Sequence, residues 1–524
     1  MAEGVRVQDG RRERKPAPRS SGSLSPRRTE RKGGGAAPGL RALLSEPAGL
    51  LYLQATAGNA AVTSALNPSP PQARFTVQRY DSYEHVEAGA VESFMEPAES
   101  AYVVGKGETP AQIARKLSVT VDRLLERNRK KVHLFAIAGG GHEQGFEAGD
   151  TIVVPSDKLR IREPAPSETV KTDQKPVTIN GVTMSYGEAM AMADFYQDFA
   201  AMEAAKPAEI KALLALVRKQ VATPGSVSQA DWDTASGGRY MDLNRKNTAH
   251  FAPSDARLVP ASGASSGSNH KEAWEANHRL ALDAAQKGDR DRALAINAFG
   301  DHFLTDAFAA GHLFNKEDLM KKVRLSLSTT EAVEAFASPV ATEVFKDPAS
   351  KTICSVYENV HTSFKTAYGR WSINSASRFA SVLEGIDARM PDVLENSIAA
   401  AVHDDLNAKG VHVSNTKASW TVKGDDNLEP TALFYMREAV SQSQVNVLNA
   451  AGAATVDYAK AFKAVWDLAP QPDTSGRAEI TKAVTDLADP KSATTVTAVG
   501  AITKANLQLI MDKVEAAGEI RKIK

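Results

Sequence analysis

One stretch constrains this chain more than any other. Gly300-Asp301-His302-Phe303-Leu304-Thr305-Asp306-Ala307-Phe308-Ala309-Ala310-Gly311-His312 sets imidazoles and carboxylates among small and apolar residues. His302 and Asp306 are four apart, so on a helix they share one face. Gly311 offers a place for that helix to end and for the chain to turn His312 back toward the same face. The apolar neighbours would bury the group, and a buried carboxylate demands a cation or a donor. An imidazole and a carboxylate one turn apart, with a second imidazole nearby, suit a borderline metal such as zinc. A lone histidine here would read as a satisfied core residue. More candidate ligands on both sides argue for a metal instead.

Eight of the eleven histidines fall between His250 and His412. Histidine is a mediocre helix former and a poor core residue, so packing alone gives no reason for the clustering. His250 opens the Pro-containing loop Asn247-Thr248-Ala249-His250-Phe251-Ala252-Pro253. His403 lies in Ala401-Val402-His403-Asp404-Asp405-Leu406-Asn407 with acids beside it. Upstream, Asp194 is a single acid in the apolar run Ala191-Met192-Ala193-Asp194-Phe195-Tyr196. His278, His361 and His412 read as surface or core residues, and Asp301 and Asp404 as groups that orient imidazoles.

With 524 residues the chain is too long for one core, so several domains are expected. Lys+Arg 63 balances Asp+Glu 63, which excludes a global electrostatic pull toward nucleic acid or anionic lipid. The single cysteine, Cys354, rules out an internal disulfide and a Cys-based zinc finger, and fits synthesis in a reducing cytosol. No apolar run is long enough to span a bilayer, and no secretory signal opens the chain.

Residues 1–49 are rich in Arg, Lys, Gly, Pro and Ser and read as a disordered basic arm. Residues 50–66 form an amphipathic island in which Leu50, Leu53, Ala57 and Ala61 recur at helical spacing. Residues 67–98 read as a polar linker. Residues 99–157 form a small α+β unit in the order strand, helix, helix, strand. Tyr102-Val103-Val104 opens it, Thr109 starts a helix, Val121, Leu124 and Leu125 stripe a second, and Thr151-Ile152-Val153-Val154-Pro155 closes it. A second linker spans 158–175. The remainder, 176–524, reads as a large all-α domain with polar loops near 222–239 and 260–270.

Three resemblances sharpen these expectations. Leu53-Gln54 followed by Ala57-Gly58-Asn59 and Ala61-Val62 resembles the leader of bacterial toxins and of cargo linked to extracellular contractile injection systems. It implies association with such a particle and export without a secretory signal. The 99–157 unit resembles a LysM module through Gly107-Glu108-Thr109 and Gly149-Asp150-Thr151-Ile152-Val153-Val154-Pro155, with a longer Lys130–Phe146 stretch than usual. LysM modules bind N-acetylglucosamine polymers such as peptidoglycan, or serve as particle adaptors, and both roles stay open. Finally, His250-Phe251-Ala252-Pro253 and the His302/Asp306/His312 spacing resemble the zinc-dependent phospholipase C and single-strand-specific zinc nuclease superfamily. This resemblance implies an all-helical fold and zinc ligands Asp194, His250, His302, Asp306, His312 and His403, with Cys354/Glu358 as the alternative to His403. Asp306 and His302 would be central to catalysis.

The superfamily's amino-terminal tryptophan ligand has no counterpart, and no early histidine precedes Asp194 within 176–524. Two zinc ions are therefore expected, with one or three as the alternatives. The implied activity is phosphodiester hydrolysis of a phospholipid or a nucleic acid, delivered as a toxin. A nuclease would stack bases on aromatics, for which Trp274, Trp371, Trp420 and Trp466 are candidates. A non-catalytic adaptor of the particle and a glycan-anchored binding protein are the other readings.

Overall fold

A two-residue Asn180-Gly181 turn shows how locally this chain declares its elements. Both residues have positive φ, 45° and 73°, the combination a tight hairpin turn requires. Strand Pro176–Ile179 pairs antiparallel with Val182–Ser185 across it. Val177, Ile179, Val182 and Met184 face inward at period two. The computed structural model describes residues 82–89, 95–117, 119–137, 141–161, 175–255, 257–258, 268–360, 370–389, 392–424 and 428–523. The expected basic arm and amphipathic island lie outside the described residues, as do His361 and most of the 260–270 loop. All described residues fall in the unit Arg74–Lys524.

The smaller subunit of structure follows the strand–helix–helix–strand order. Strand Met95–Val103 pairs antiparallel with Thr151–Ile161, Val103 opposite Thr151, with a register shift between Pro97 and Glu99. Thr109 and Gln112 form a capping box on helix Pro110–Lys116, and Thr120 caps Val121–Arg127. Ile113, Leu124, Phe146, Ile152 and Val154 make the core. Asn128 mimics a strand partner: its amide donates to Val153 O at 2.6 Å and its Oδ1 accepts from Val153 N at 2.7 Å. Within the long insertion, His133–Ile137 and Gly141–Gly145 form an antiparallel ribbon that leaves Leu134 and Phe135 exposed.

Residues 175–523 are mostly helical. Six helices position the site and are numbered in chain order: α1 (Ser82–Ala88), α2 (Tyr186–Met192), α3 (His270–Gln286), α4 (Arg290–Asp306), α5 (Val393–Lys409) and α6 (Pro430–Ala450). Every residue of α4 from Ala293 to Asp306 is buried, so this helix is central. Helix α3 lies directly against it. Gly300 permits the approach, since a Cβ there would come 2.8 Å from Asn277 Cβ.

Two expectations are corrected. The large domain is not all-α. Besides the Pro176–Ser185 hairpin it holds two three-stranded sheets, one built on Val411–Ser414 and one on Tyr357–Asn359. Each uses a short period-two run such as Val411-His412-Val413, too brief to register against the helical background. The polar stretch 222–239 contains helix Gln229–Ala235, started by a Ser228/Asp231 capping box. Among the described residues no helix is long and apolar enough to cross a membrane.

Candidate metal centre

The site assembles around the last turn and a half of α4. His302 and Asp306 share its inner face as their spacing predicts, His302 Nε2 lying 3.5 Å from Asp306 Oδ2. The 3-10 turn Ala193–Phe195, continuing α2, delivers Asp194, whose Oδ1 is 3.5 Å from His302 Nε2. The 3-10 turn Thr248–His250 delivers His250. Its Nδ1 is 2.8 Å from Asp306 Oδ2 and 3.1 Å from His302 Nε2. Buried Lys316 braces this turn through Asn247 Oδ1 at 2.5 Å and Asn244 O at 3.1 Å. Ala252 N donates to His312 O at 2.8 Å, tying the His250 and His312 loops together.

Helix α4 ends at Asp306, earlier than the Gly311 stop expected from sequence. His312 returns on a separate 3-10 turn, Ala310–His312, with Nδ1 3.4 Å from Asp306 Oδ1. Gly311 serves another purpose. A Cβ at this position would lie 2.4 Å from His403 Cδ2, so only glycine lets α5 approach.

His403 on α5 is buried, its ring centroid 5.1 Å from that of His312. Its nitrogens face other groups. Nδ1 is 2.9 Å from Asp404 Oδ1, and Asn407 Nδ2 approaches Nε2 at 3.3 Å. The Asn407 amide orientation follows from Gly311 N, which donates to its Oδ1 at 2.6 Å. His403 thus stands at the margin of the cluster, steadied by Asp404 as the sequence suggested. Cys354 sits in a separate apolar core, where burial pushes its thiol up to about 12. Glu358 pairs with Arg521 on a strand at 2.5 Å.

The residue that sequence reasoning missed is His85. The segment expected to be linker contains α1, which buries Glu84, His85 and Ala88 against α2, α4 and α6. Arg437 of α6 donates to Glu87 O at 2.9 Å and anchors the helix. The His85 ring lies 4.4 Å from that of His302, and its Nε2 is 4.0 Å from Asp306 Oδ1. An early histidine is therefore present, contributed from the far side of the small α+β unit. Its signal in the sequence was faint: one His beside Val86 and before Ala88, in a helix of seven residues, too short for periodicity to decide.

Two overlapping groups result. Ligand-capable atoms of His85, Asp194 and His302 lie within 4.8 Å of one another, as do those of His250, His302 and Asp306. All five residues are buried, and this cluster could hold a metal ion. The donors are imidazole nitrogen and carboxylate oxygen, a set that suits a borderline divalent metal. Burial, and after it the neighbouring His403, His250, His270 and His85 imidazoles, hold His312 well below the ordinary imidazole value. The cluster thus keeps this imidazole neutral, the form that ligates metals.

Asp301 does not orient an imidazole. It accepts from Tyr186 Oη at 2.7 Å, Trp274 Nε1 at 2.9 Å, Ser443 Oγ at 2.6 Å and Asn297 Nδ2 at 3.1 Å. This network clamps α4 to α2, α3 and α6 on the side away from the ligands. His278 belongs to it, 2.5 Å from Asn297 Oδ1 and stacked on Trp274, and burial pushes it down to about 4 from 6.5. Its folded value lies below its unfolded one, so its contribution to stability is complete above pH 6.5 and is lost as pH falls through about 4. Urea unfolding midpoints should drop across that window, and His278→Asn should flatten the drop. His412, by contrast, is half-exposed and pairs with Glu479 at 2.6 Å.

A cavity of about 530 Å³ adjoins the His250 and His312 loops through Ala252, Pro253 and Leu313, with His270, Phe462 and Trp466 forming its aromatic wall. None of the clustered ligands lines it. No protein-family model, curated protein or solved structure matches this chain.

Proposed function

We propose that this chain is a metal-dependent hydrolase of phosphodiesters, with zinc as its metal. The observation that carries the reading is the convergence of Asp194, His250 and the His302/Asp306 pair from three separate segments, joined by His85 from a fourth. It adds to the resemblance to zinc-dependent phospholipase C and single-strand-specific zinc nucleases. A zinc ion in such a site lowers the pKa of bound water toward neutrality and draws charge from a phosphoryl oxygen.

The chain's own residues would divide the work. His85, Asp194 and His302 form one ligand group, and His250, His302 and Asp306 the other. His302 belongs to both groups, and its single Nε2 lone pair would serve one ion, with Asp194 and His85 or with His250 and Asp306 as its companions, while His312 beside Asp306 offers a further nitrogen. Phe303, 5.1 Å from the His250 ring, and Phe251, 4.9 Å from the His312 ring, exclude bulk water. His250 is the most exposed member of these two groups, with 10% of its side chain accessible, so substrate would approach from its side, past Ala252 and the cavity. Metal analysis of the purified protein should find one to two zinc equivalents. Hydrolysis of bis(p-nitrophenyl) phosphate should follow the zinc content, with phosphatidylcholine and single-stranded DNA compared beside it. Folded protein free of metal would sink the proposal.

One observation favours a second reading, a structural metal in a non-catalytic adaptor. His85, His302, Asp306 and His312 have no measurable exposure, and structural zinc sites are closed whereas catalytic ones keep an open position. In that case chelation lowers stability while no phosphodiester is cleaved at any zinc content.

The strand–helix–helix–strand unit supports a docking role, to an N-acetylglucosamine polymer or to an injection particle. Export as cargo, through residues 50–66, belongs to the same proposal.

A further inference from the structure

We propose that Thr305 is a positioning residue that fixes the tautomer of His85 and so decides which ring nitrogen faces the metal centre. This inference rests on the metal-centre reading and goes beyond it. Thr305 is buried on α4, between His302 and Asp306 in sequence. Its Oγ1 lies 2.7 Å from His85 Nδ1. The same oxygen is 2.8 Å from His302 O and 3.1 Å from Asp301 O, the carbonyls one helical turn back.

A hydroxyl carries one proton and two lone pairs. In a helix, a threonine hydroxyl habitually donates to the carbonyls three and four residues before it. Here both carbonyls stand ready, and neither can donate in return. With its proton committed to its own helix, Oγ1 is left to accept. His85 Nδ1 must then carry the hydrogen of the 2.7 Å contact. In a neutral imidazole the other nitrogen is the acceptor. That places the lone pair on Nε2, the atom turned toward Asp306 Oδ1 at 4.0 Å. A histidine ligand whose second nitrogen donates to a fixed oxygen is oriented and more basic.

The opposite arrangement is chemically possible. If Thr305 donated to Nδ1, then Nε2 would carry hydrogen and could not ligate a metal. The two carbonyls decide against it. The device also explains why a helix as short as α1 can serve the site, since one contact sets both the rotation and the protonation of its imidazole.

The test uses the full chain. Nitrogen NMR of histidine-labelled, metal-free protein at pH 8, with His85→Ala for assignment, should show His85 protonated at Nδ1. Hydrogen on Nε2 would overturn the proposal, whatever the metal content. Zinc affinity of Thr305→Val, measured by competition with a chelator, should fall about 10- to 100-fold, and Thr305→Ser should restore it. In a His85→Ala background, Thr305→Val should cost nothing further. An equal loss in both backgrounds would mean that Thr305 acts through packing alone. Should Thr305→Val fail to fold, Thr305→Ser and the tautomer of the unaltered protein still decide. Zinc-free protein with the expected tautomer would instead count against the metal-centre reading.

Discussion

Protein carrying His302→Ala should purify without zinc and lose phosphodiester hydrolysis entirely. No other substitution should reach so far, because His302 alone belongs to both ligand groups. Losing His250 or Asp194 leaves one group whole, so those variants should retain a fraction of the metal. The stability readout is independent of activity. A ligand present at a hundred times its dissociation constant stabilises the folded state by about 2.7 kcal/mol. Adding a strong chelator to the unaltered protein should remove about that much. His302→Ala should be indifferent to the chelator, since it has nothing to lose. If both respond equally, the cation is held elsewhere. If neither responds, the imidazole–carboxylate cluster binds no metal at all.

The half of this centre that lies on one helix was legible from spacing. His302 and Asp306 stand four apart in a largely apolar run, and the helix that forms there puts them on one face. Asp194, His250 and His403 were legible only as oddities, an acid or an imidazole in apolar company, whose meeting in space no local rule could dictate. His85 was not legible. Its helix has seven residues, it precedes an independent α+β unit, and the residues it packs against follow more than a hundred positions later. Gly311 shows a subtler failure. A glycine near a helix end reads as a cap, yet here the helix has already stopped and the missing side chain makes room for His403. Close approach between distant segments leaves the same mark in sequence as a turn.

Asp301→Ala should be the most damaging single change to stability in the helical region, costing about 3–5 kcal/mol. Its carboxylate is the acceptor for Tyr186, Trp274, Ser443 and Asn297. Truncation would leave those donors buried on three other helices and α4 itself with no acceptor, and would open a cavity as well. Asp301→Asn keeps the volume but replaces one oxygen with a donor. That donor would face Trp274 and Ser443, or Tyr186 and Asn297, whose hydrogens already point inward. It should therefore recover only part of the loss. Ser443→Ala removes one donor and leaves the other three in place, so about 1 kcal/mol is expected. Urea unfolding followed by tryptophan fluorescence gives all three values, and Trp274 reports from within the network. The order decides between two accounts of α4. If Asp301→Ala costs no more than Ser443→Ala, apolar packing alone holds this helix. If the order is as stated, the polar clamp behind α4 is what holds His302 and Asp306 in register with the loops that bring His250 and Asp194.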